Sequence, residues 1–506
     1  MSLTLSSVKF ILFFTAVAVI YYTVPKKFQN ALLLISSFVF YLFGTPEYAL
    51  LLAGTIVVNY YAGKAISRQN DPKKRKQLLI FFVVLNVAVL LGLKYYNFFG
   101  QTISPLLGLF GLKFELAKWI APLGISYYTL MIIDYFSGVY KKEVDWDSDI
   151  GGFIGFALYV SFFPQILAGP INRAKQMILQ FKQPRSFSYG GTVEGMQRFL
   201  IGALKKVVLA DGIAIITNGV FSNMSRVKEG YTGLILIIAQ LLYVFRMFGD
   251  FSGYTDMAIG VAKILGINIT ENFNAPYFAV SVNDFWRRWH MSLSGWLRDY
   301  IYIPLGGNRK GRLRRYFNSM AVYFVCGLWH APSWNFAVWG IMQSIMVIFE
   351  DLTFLNKGKT ENRVNRQNKA IRFVRWLYTM VFFYFTLLFV STDNIRDVGY
   401  FFKNLSRFEP WPLFFNKIIN LSDNQIANDM SYLLMYWGGM FIALVIIFWL
   451  DRKTFRSAAE GTVDFNPVAS LSRNKRWAVY FISGLLILFF YMINGAAPAP
   501  PIYINM

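Results

Sequence analysis

Val322-Tyr323-Phe324-Val325-Cys326-Gly327-Leu328-Trp329-His330-Ala331-Pro332-Ser333-Trp334 is an apolar run broken by one histidine and, two residues later, one proline. Its hydrophobicity places it at membrane depth, where a titratable imidazole is costly unless it has a partner or a task. Only one other histidine occurs in the 506 residues, His290, and each histidine follows a tryptophan. Imidazole is the side chain whose proton moves most readily near neutral pH, which makes His330 the first candidate for chemistry. The bland alternative is a core histidine satisfied by backbone.

Outward from that run the whole chain reads as membrane protein. It is 56% hydrophobic and 18% aromatic with 15% charged residues, above the apolar share of a soluble domain. Apolar segments lie near 8–24, 30–44, 48–63, 78–93, 119–140, 150–168, 194–220, 233–265, 317–350, 376–391, 431–450 and 477–495. Many approach the roughly 20 residues that cross a bilayer as a helix. The expected fold is all-α and polytopic, one membrane domain over residues 1–506. Fifty basic against 27 acidic residues give a net charge of +23. The basic residues sit between apolar segments, which reads as cytoplasmic loop charge rather than nucleic-acid binding. The lone Cys326 forms no internal disulfide. Phe10 to Val24 lacks a small-residue cleavage site and runs into Pro25-Lys26-Lys27, so it is expected to be a retained first helix.

Loop 64–77 carries Lys64, Arg68, Lys73, Lys74, Arg75 and Lys76, and loops 357–375 and 452–476 are similarly basic. Placing all three inside puts the N-terminus, the 392–430 loop and the C-terminal tail outside. Parity then conflicts in two places. Lys141-Lys142 and the basic loop 172–187 both belong inside, yet only segment 150–168 separates them. It should dip in and return, broken around Phe163-Pro164-Gln165 and Ala168-Gly169-Pro170. Segment 317–350 has the same conflict, with Arg309, Lys310, Arg312, Arg314 and Arg315 before it and Lys357 and Lys359 after it. A break at His330-Ala331-Pro332-Ser333 would make two half-length helices with His330 near the apex. Such breaks are tolerated only where protein or a wet cavity surrounds them. Residues 267–316 are too polar to span and should form amphipathic helices at the interface or part-way into the bundle. Residues 392–430 read as an external interfacial loop with a short helix of its own.

The densest polar-aromatic run is Asn283-Asp284-Phe285-Trp286-Arg287-Arg288-Trp289-His290-Met291-Ser292-Leu293-Ser294-Gly295-Trp296-Leu297-Arg298-Asp299-Tyr300. On a helix, Trp286, Trp289 and His290 share a face and Arg287 and Arg288 project elsewhere. An interfacial anchor of tryptophans and snorkelling arginines explains the run without chemistry.

This run resembles the signature of membrane-bound O-acyltransferases. With Ile301-Tyr302-Ile303-Pro304-Leu305-Gly306-Gly307-Asn308-Arg309 and Gly327-Leu328-Trp329-His330, it most resembles the bacterial branch typified by the alginate O-acetyltransferase membrane subunit. Phe162-Phe163-Pro164-Gln165-Ile166-Leu167-Ala168-Gly169-Pro170 and Asp250-Phe251-Ser252-Gly253-Tyr254-Thr255-Asp256-Met257-Ala258-Ile259-Gly260 match that branch too. The motifs occupy about residues 162–340, with N-terminal helices over 1–161 and C-terminal helices over 372–506. Ala331 departs from the glycine frequent in this branch.

The resemblance implies a ring of about 11–13 transmembrane and re-entrant helices around a thin centre with a through-channel. It implies His330 as the catalytic histidine and His290 as a second polar position, either helping catalysis or holding the fold. It also implies a bacterial plasma-membrane enzyme that takes acetyl-CoA from the cytosol, holds no bound cofactor or metal, and works with an extracytoplasmic SGNH-hydrolase-like partner on a polysaccharide acceptor. Trp289, Trp329, Tyr254, Asp250, Asn335, Arg287, Arg288 and Arg298 are the expected substrate-binding set. For several of these a structural reading competes. Asn335 either orients a thioester carbonyl or caps the helix after the break. Arg246 and Asp250 are spaced to neutralise each other, and Arg287, Arg288, Arg298 and Arg309 either hold coenzyme A phosphates or set topology. Transfer of D-alanine to teichoic acid from a carrier protein is the nearest rival. A transporter or proton relay is the other, though no inverted repeat is apparent.

Overall fold

A computed structural model describes residues 3–118, 121–147, 149–221, 233–353, 368–392, 394–407 and 430–494. Among these residues all regular secondary structure is helical. In chain order the helices are α1 (Val8–Thr23), α2 (Gln29–Leu42), α3 (Ala49–Arg68), α4 (Pro72–Lys94), α5 (Tyr96–Leu109), α6 (Ile125–Tyr140) and α7 (Ile150–Ser161). They continue with α8 (Ala174–Lys182), α9 (Tyr189–Ala203), α10 (Asp211–Phe221), α11 (Gly233–Ile264), α12 (Val282–Trp286), α13 (Met291–Leu297), α14 (Gly311–His330) and α15 (Trp334–Leu352). The last are α16 (Lys369–Thr386), α17 (Leu388–Ser391), α18 (Ile395–Asn404), α19 (Met430–Ala459) and α20 (Arg473–Asn494). Six described segments are long and apolar enough to cross a bilayer: Pro46–Arg68, Pro72–Lys94, Gly233–Ile264, Lys369–Ser391, Leu434–Ala459 and Arg473–Ile493. The chain is a multi-pass membrane protein. Most of the basic loop 357–375, of the loop 392–430 and of the C-terminal tail lie outside the described residues. At the start of 392–430, α18 is the short helix expected there.

The described residues up to Met196, with Ala258–Thr270, form one compact unit. Here α7 stops at Ser161, so the break falls at Phe163-Pro164-Gln165 as the charges require. The irregular backbone from Phe162 to Ile171 is buried, and it is tolerated because local side chains satisfy it. Gln165 donates to the Tyr159 carbonyl (2.9 Å), and Asn172 donates to the Gln165 side chain (2.7 Å). The Tyr159 hydroxyl sits 3.0 Å from the carbonyls of both Met131 and Asn172.

Gln197–Met257 and the described residues from Glu271 onward form the second unit. Between α9 and α10 the chain runs as a π-helix, Leu204–Ala210, and buries Lys205 and Lys206. Each lysine meets a carboxylate of α11. Lys206 Nζ lies 2.7 Å from Asp250 and 2.7 Å from Asp211, and Lys205 Nζ lies 2.9 Å from Asp256. Asp256 also takes Arg198, at 2.7 Å. The Arg246–Asp250 pair expected from sequence spacing is therefore not formed. Arg246 donates instead to the Thr217 hydroxyl and the Asn218 carboxamide. A partner from another helix captures Asp250, since an uncompensated buried ammonium would cost more than the loss of an i,i+4 contact.

The quoted apolar run forms the α14–α15 hairpin. Pro332 cannot continue the helix, and the residue before it is pushed out of helical geometry; Ala331 is extended, at φ −147° and ψ 145°. The Ser333 hydroxyl then caps α15 by accepting the Asn335 N–H at 3.2 Å. The break lies where the sequence places it, but the two helices are 20 and 19 residues long, not half-length. The difference is the arginine-rich stretch after Gly311, which is helix rather than loop: Arg315 reaches Asp351 across the hairpin and Arg314 lies over Phe317. Glycine sets the crossing. A Cβ on Gly327 would run into the Phe336 carbonyl, and one on Gly340 into the Tyr323 carbonyl.

Candidate active site

The close crossing of α14 and α15 delivers His330 as the last residue of α14, buried to 4% exposure. Its ring centre lies 5.1 Å from Trp329 and 5.6 Å from Trp339 on α15. Both packings are edge-on, which suits a polar ring held between aromatic faces.

His290 arrives by a different route. The helix expected through Trp286, Trp289 and His290 does not form, because α12 ends at Trp286 and the chain turns through Arg287–Trp289. His290 itself is left-handed, at φ 45° and ψ 51°. That conformation costs a non-glycine residue roughly 1–2 kcal/mol, so the surroundings must hold it. They do so through backbone: Asn274 donates to Arg288 at 2.9 Å, and Met291 donates to Asn272 at 3.0 Å. The turn buries His290 completely, with Phe251 edge-on at 4.7 Å.

The two rings that the sequence separates by forty residues are neighbours, with centres 6.1 Å apart. Burial first, and then the neighbouring His330 ring, push the His290 imidazole well below its ordinary value. It is neutral at pH 7. On its other edge, Nδ1 lies 3.3 Å from the Asn272 carboxamide oxygen, which also accepts the Ser292 N–H (3.2 Å) and hydroxyl (2.6 Å).

A cavity of about 720 Å³ is walled by Trp286 and the segments around it. Arg287, Arg288, Arg298, Arg315, Arg372 and Arg375 line it against Asp284, Glu350 and Asp351, so its walls are net positive. Arg288 and Arg372 both lie over the Phe455 ring, at 5.1 and 5.5 Å. Arg288 also pairs with Asp284 at 2.8 Å. The inner wall includes Tyr323, Cys326 and Trp286. Trp286 Nε1 donates to Gln343 (3.3 Å), which donates to Thr386 (3.1 Å). Trp286 packs at 5.8 Å on Trp339, the residue that packs on His330. Two indoles in succession, Trp286 and Trp339, therefore link the wall of the basic cavity to His330.

Of the expected set, Arg287, Arg288 and Arg298 line the cavity, and Trp329 touches both histidine rings. Trp289 stacks on Phe285, at 5.4 Å and 17°, one layer back. Asn335 is not the cap. Ser333 is, while the Asn335 side chain donates to the Thr392 carbonyl at 3.1 Å. Tyr254 is buried on α11 and Asp250 is engaged by Lys206; neither lines the cavity, nor does Arg309. Sequence reasoning missed Asn272, Gln343, Glu350, Arg315, Arg372 and Arg375. The arginines were visible only as loop charge, and nothing in the pattern marked Asn272.

The family model of membrane-bound O-acyltransferases matches residues 145–392. The chain is 32% identical over 439 residues to the protein named probable alginate O-acetylase AlgI of Pseudomonas aeruginosa, covering 86% of this chain and 81% of that one. To the peptidoglycan O-acetyltransferase of Helicobacter pylori it is 31% identical over 471 residues, covering 86% and 85%. The teichoic acid D-alanyltransferase of Streptococcus thermophilus is 30% identical over 254 residues, or 48% of this chain and 59% of that protein.

Proposed function

This chain belongs to the membrane-bound O-acyltransferase family, and on that premise we propose that it moves an acetyl group from cytosolic acetyl-CoA toward a polysaccharide outside the bacterial plasma membrane. One observation carries the reading: two buried histidines lie side by side, linked through Trp339 and Trp286 to the wall of an arginine-lined cavity. The cavity suits the phosphates of coenzyme A, since guanidinium groups bind phosphate through paired donors. The thioester end would pass the Trp286–Trp339 layer to reach the imidazoles.

His330 is assigned as the base. The acceptor hydroxyl gives its proton to His330 as its oxygen attacks the thioester carbonyl. The tetrahedral intermediate then collapses, the carbon–sulfur bond breaks, and the imidazolium returns the proton to the leaving thiolate. Thioester and alcohol become ester and thiol, with no other reactant. A base of this kind contributes about 10²–10⁴-fold when its pKa suits the working pH. An SGNH-hydrolase-like partner would complete transfer to sugar on the outer side.

The assay uses the full chain in lipid nanodiscs with acetyl-CoA and follows thiol release and acetyl transfer. The expected result is turnover in the wild type and none above background in His330→Ala. Turnover that survives His330→Ala overturns the assignment of the base. Acyl transfer from a D-alanyl carrier protein, with none from acetyl-CoA, would move the chain to the teichoic-acid reaction, as the weaker similarity to that enzyme allows.

A further inference from the structure

We propose that Asn272 is a positioning residue that fixes His290 in one tautomer, with its proton on Nδ1 and its lone pair on Nε2. The proposal deepens the acyl-transfer reading and depends on it only for the consequence in turnover.

The chemistry of the contacts fixes which atom is which. A backbone N–H can only donate, and the Ser292 N–H points at the Asn272 side chain from 3.2 Å. The atom it meets is therefore the carboxamide oxygen, and the Ser292 hydroxyl donates to it as well, at 2.6 Å. His290 Nδ1 lies 3.3 Å from the same oxygen. A ring nitrogen beside an acceptor oxygen must carry the proton. A neutral imidazole has only one, so Nε2 keeps its lone pair.

This arrangement does not depend on two long side chains finding each other. Asn272 and His290 are both fully buried, and the Met291 N–H bonds the Asn272 carbonyl at 3.0 Å. With His290 in a left-handed backbone, Nδ1 meets the side chain of that neighbouring segment. The backbone thus holds donor and acceptor in register before either side chain chooses a rotamer.

A reactive consequence follows. Neutral His290 in this tautomer can only accept a hydrogen bond at Nε2 and cannot supply one from that atom to the tetrahedral oxyanion. It acts as an acceptor beside His330, which narrows the two roles the sequence leaves open. Asn272 touches no reacting atom and acts only through His290.

The test exploits the presence of only two histidines. The full chain is labelled with ¹⁵N-histidine, reconstituted in lipid and studied by NMR, with His330→Gln assigning the signals. The wild type is expected to show a protonated Nδ1 and an unprotonated Nε2 at His290 from pH 6 to 8. Asn272→Asp keeps the shape but adds a carboxylate, which should protonate both nitrogens and move the acid limb of kcat upward by about one pH unit or more. A protonated Nε2 or an even mixture in the wild type overturns the proposal without any variant. So does Asn272→Asp with unchanged His290 signals and pH profile. Ser292→Ala, which removes one donor to the same oxygen, should leave the tautomer in place, and its loss there would assign the role to Ser292 instead. The expected spectra in a protein that transfers no acyl group would uphold the positioning role and overturn the acyl-transfer reading.

Discussion

His330 and His290 lie beside each other, yet the chain delivers them by opposite means. His330 ends a 20-residue helix at a proline-directed break, capped on the far side by Ser333. His290 sits in a left-handed turn between two short helices, held by a segment that begins eighteen residues earlier. The first placement uses local rules: proline, the residue before proline, and a serine cap. The second uses pairings that mean nothing until the fold has formed. The contrast is between a stiff, locally built histidine and a partner whose protonation is tuned by its surroundings.

The largest expected effect separates the two histidines by function. His330→Ala should lower acyl transfer by about 10³-fold or more, within the range for a general base, whereas His290→Gln should lower it by only about tenfold, below that range. Equal losses in the two variants, with both proteins folded, would break the distinction. The hairpin that carries His330 should be the least forgiving part of the scaffold. Gly327→Leu drives a side chain into the Phe336 carbonyl and should destabilise by about 3 kcal/mol, at the upper end for overpacked cores. Thermal unfolding in nanodiscs measures it, and a wild-type melting temperature would show that the two helices can separate at no cost.

His290 adds a pH signature of its own. Its folded pKa is depressed by burial and by the neighbouring ring, whereas in the unfolded chain it titrates near 6.5. Above about pH 6.5 both states are neutral there and the residue adds no pH dependence. As pH falls below that value the unfolded chain gains a proton that the folded chain refuses. Stability is then lost at up to about 1.4 kcal/mol per pH unit until the folded pKa is reached. The wild type minus His290→Gln should isolate this slope, because the carboxylates are common to both. A flat difference between pH 6.5 and 5 would mean that His290 is not held neutral.

The same contrast explains how much was legible in the sequence. Helical class, membrane residence and both breaks follow from apolar spans, proline positions and basic loops, all of which act within a few residues. The site was half legible. His330 and three cavity arginines stood out by residue type, but the 6.1 Å approach of His290 did not. Helical periodicity put Trp286, Trp289 and His290 on one face, and the left-handed residue that cancels this has no glycine to announce it. Asp250 was misread for a related reason. Spacing offered Arg246, four residues away, whereas the fold brings Lys206 from a π-helical turn that no periodicity shows. At Asp250 and His290, long-range partners took precedence over local ones.

Pro332→Ala gives the smallest expected effect and tests whether the break at His330 is as local as it looks. Alanine removes the constraint that keeps Ala331 extended, so a continuous helix becomes possible. Two features oppose it. The Ser333 cap contributes about 1 kcal/mol, and the Gly327–Gly340 crossing would be lost if α14 ran straight on. Against these, proline chiefly restricts the unfolded chain, by about 0.4–1 kcal/mol. Pro332→Ala should therefore lower stability by less than about 1 kcal/mol and leave transfer within a few-fold of wild type. Ser333→Ala should cost more in a melting experiment despite being the gentler change in shape. If Pro332→Ala instead abolished transfer in a folded protein, proline alone would be holding His330 in place, and the packing of the hairpin would count for less than its close approach implies.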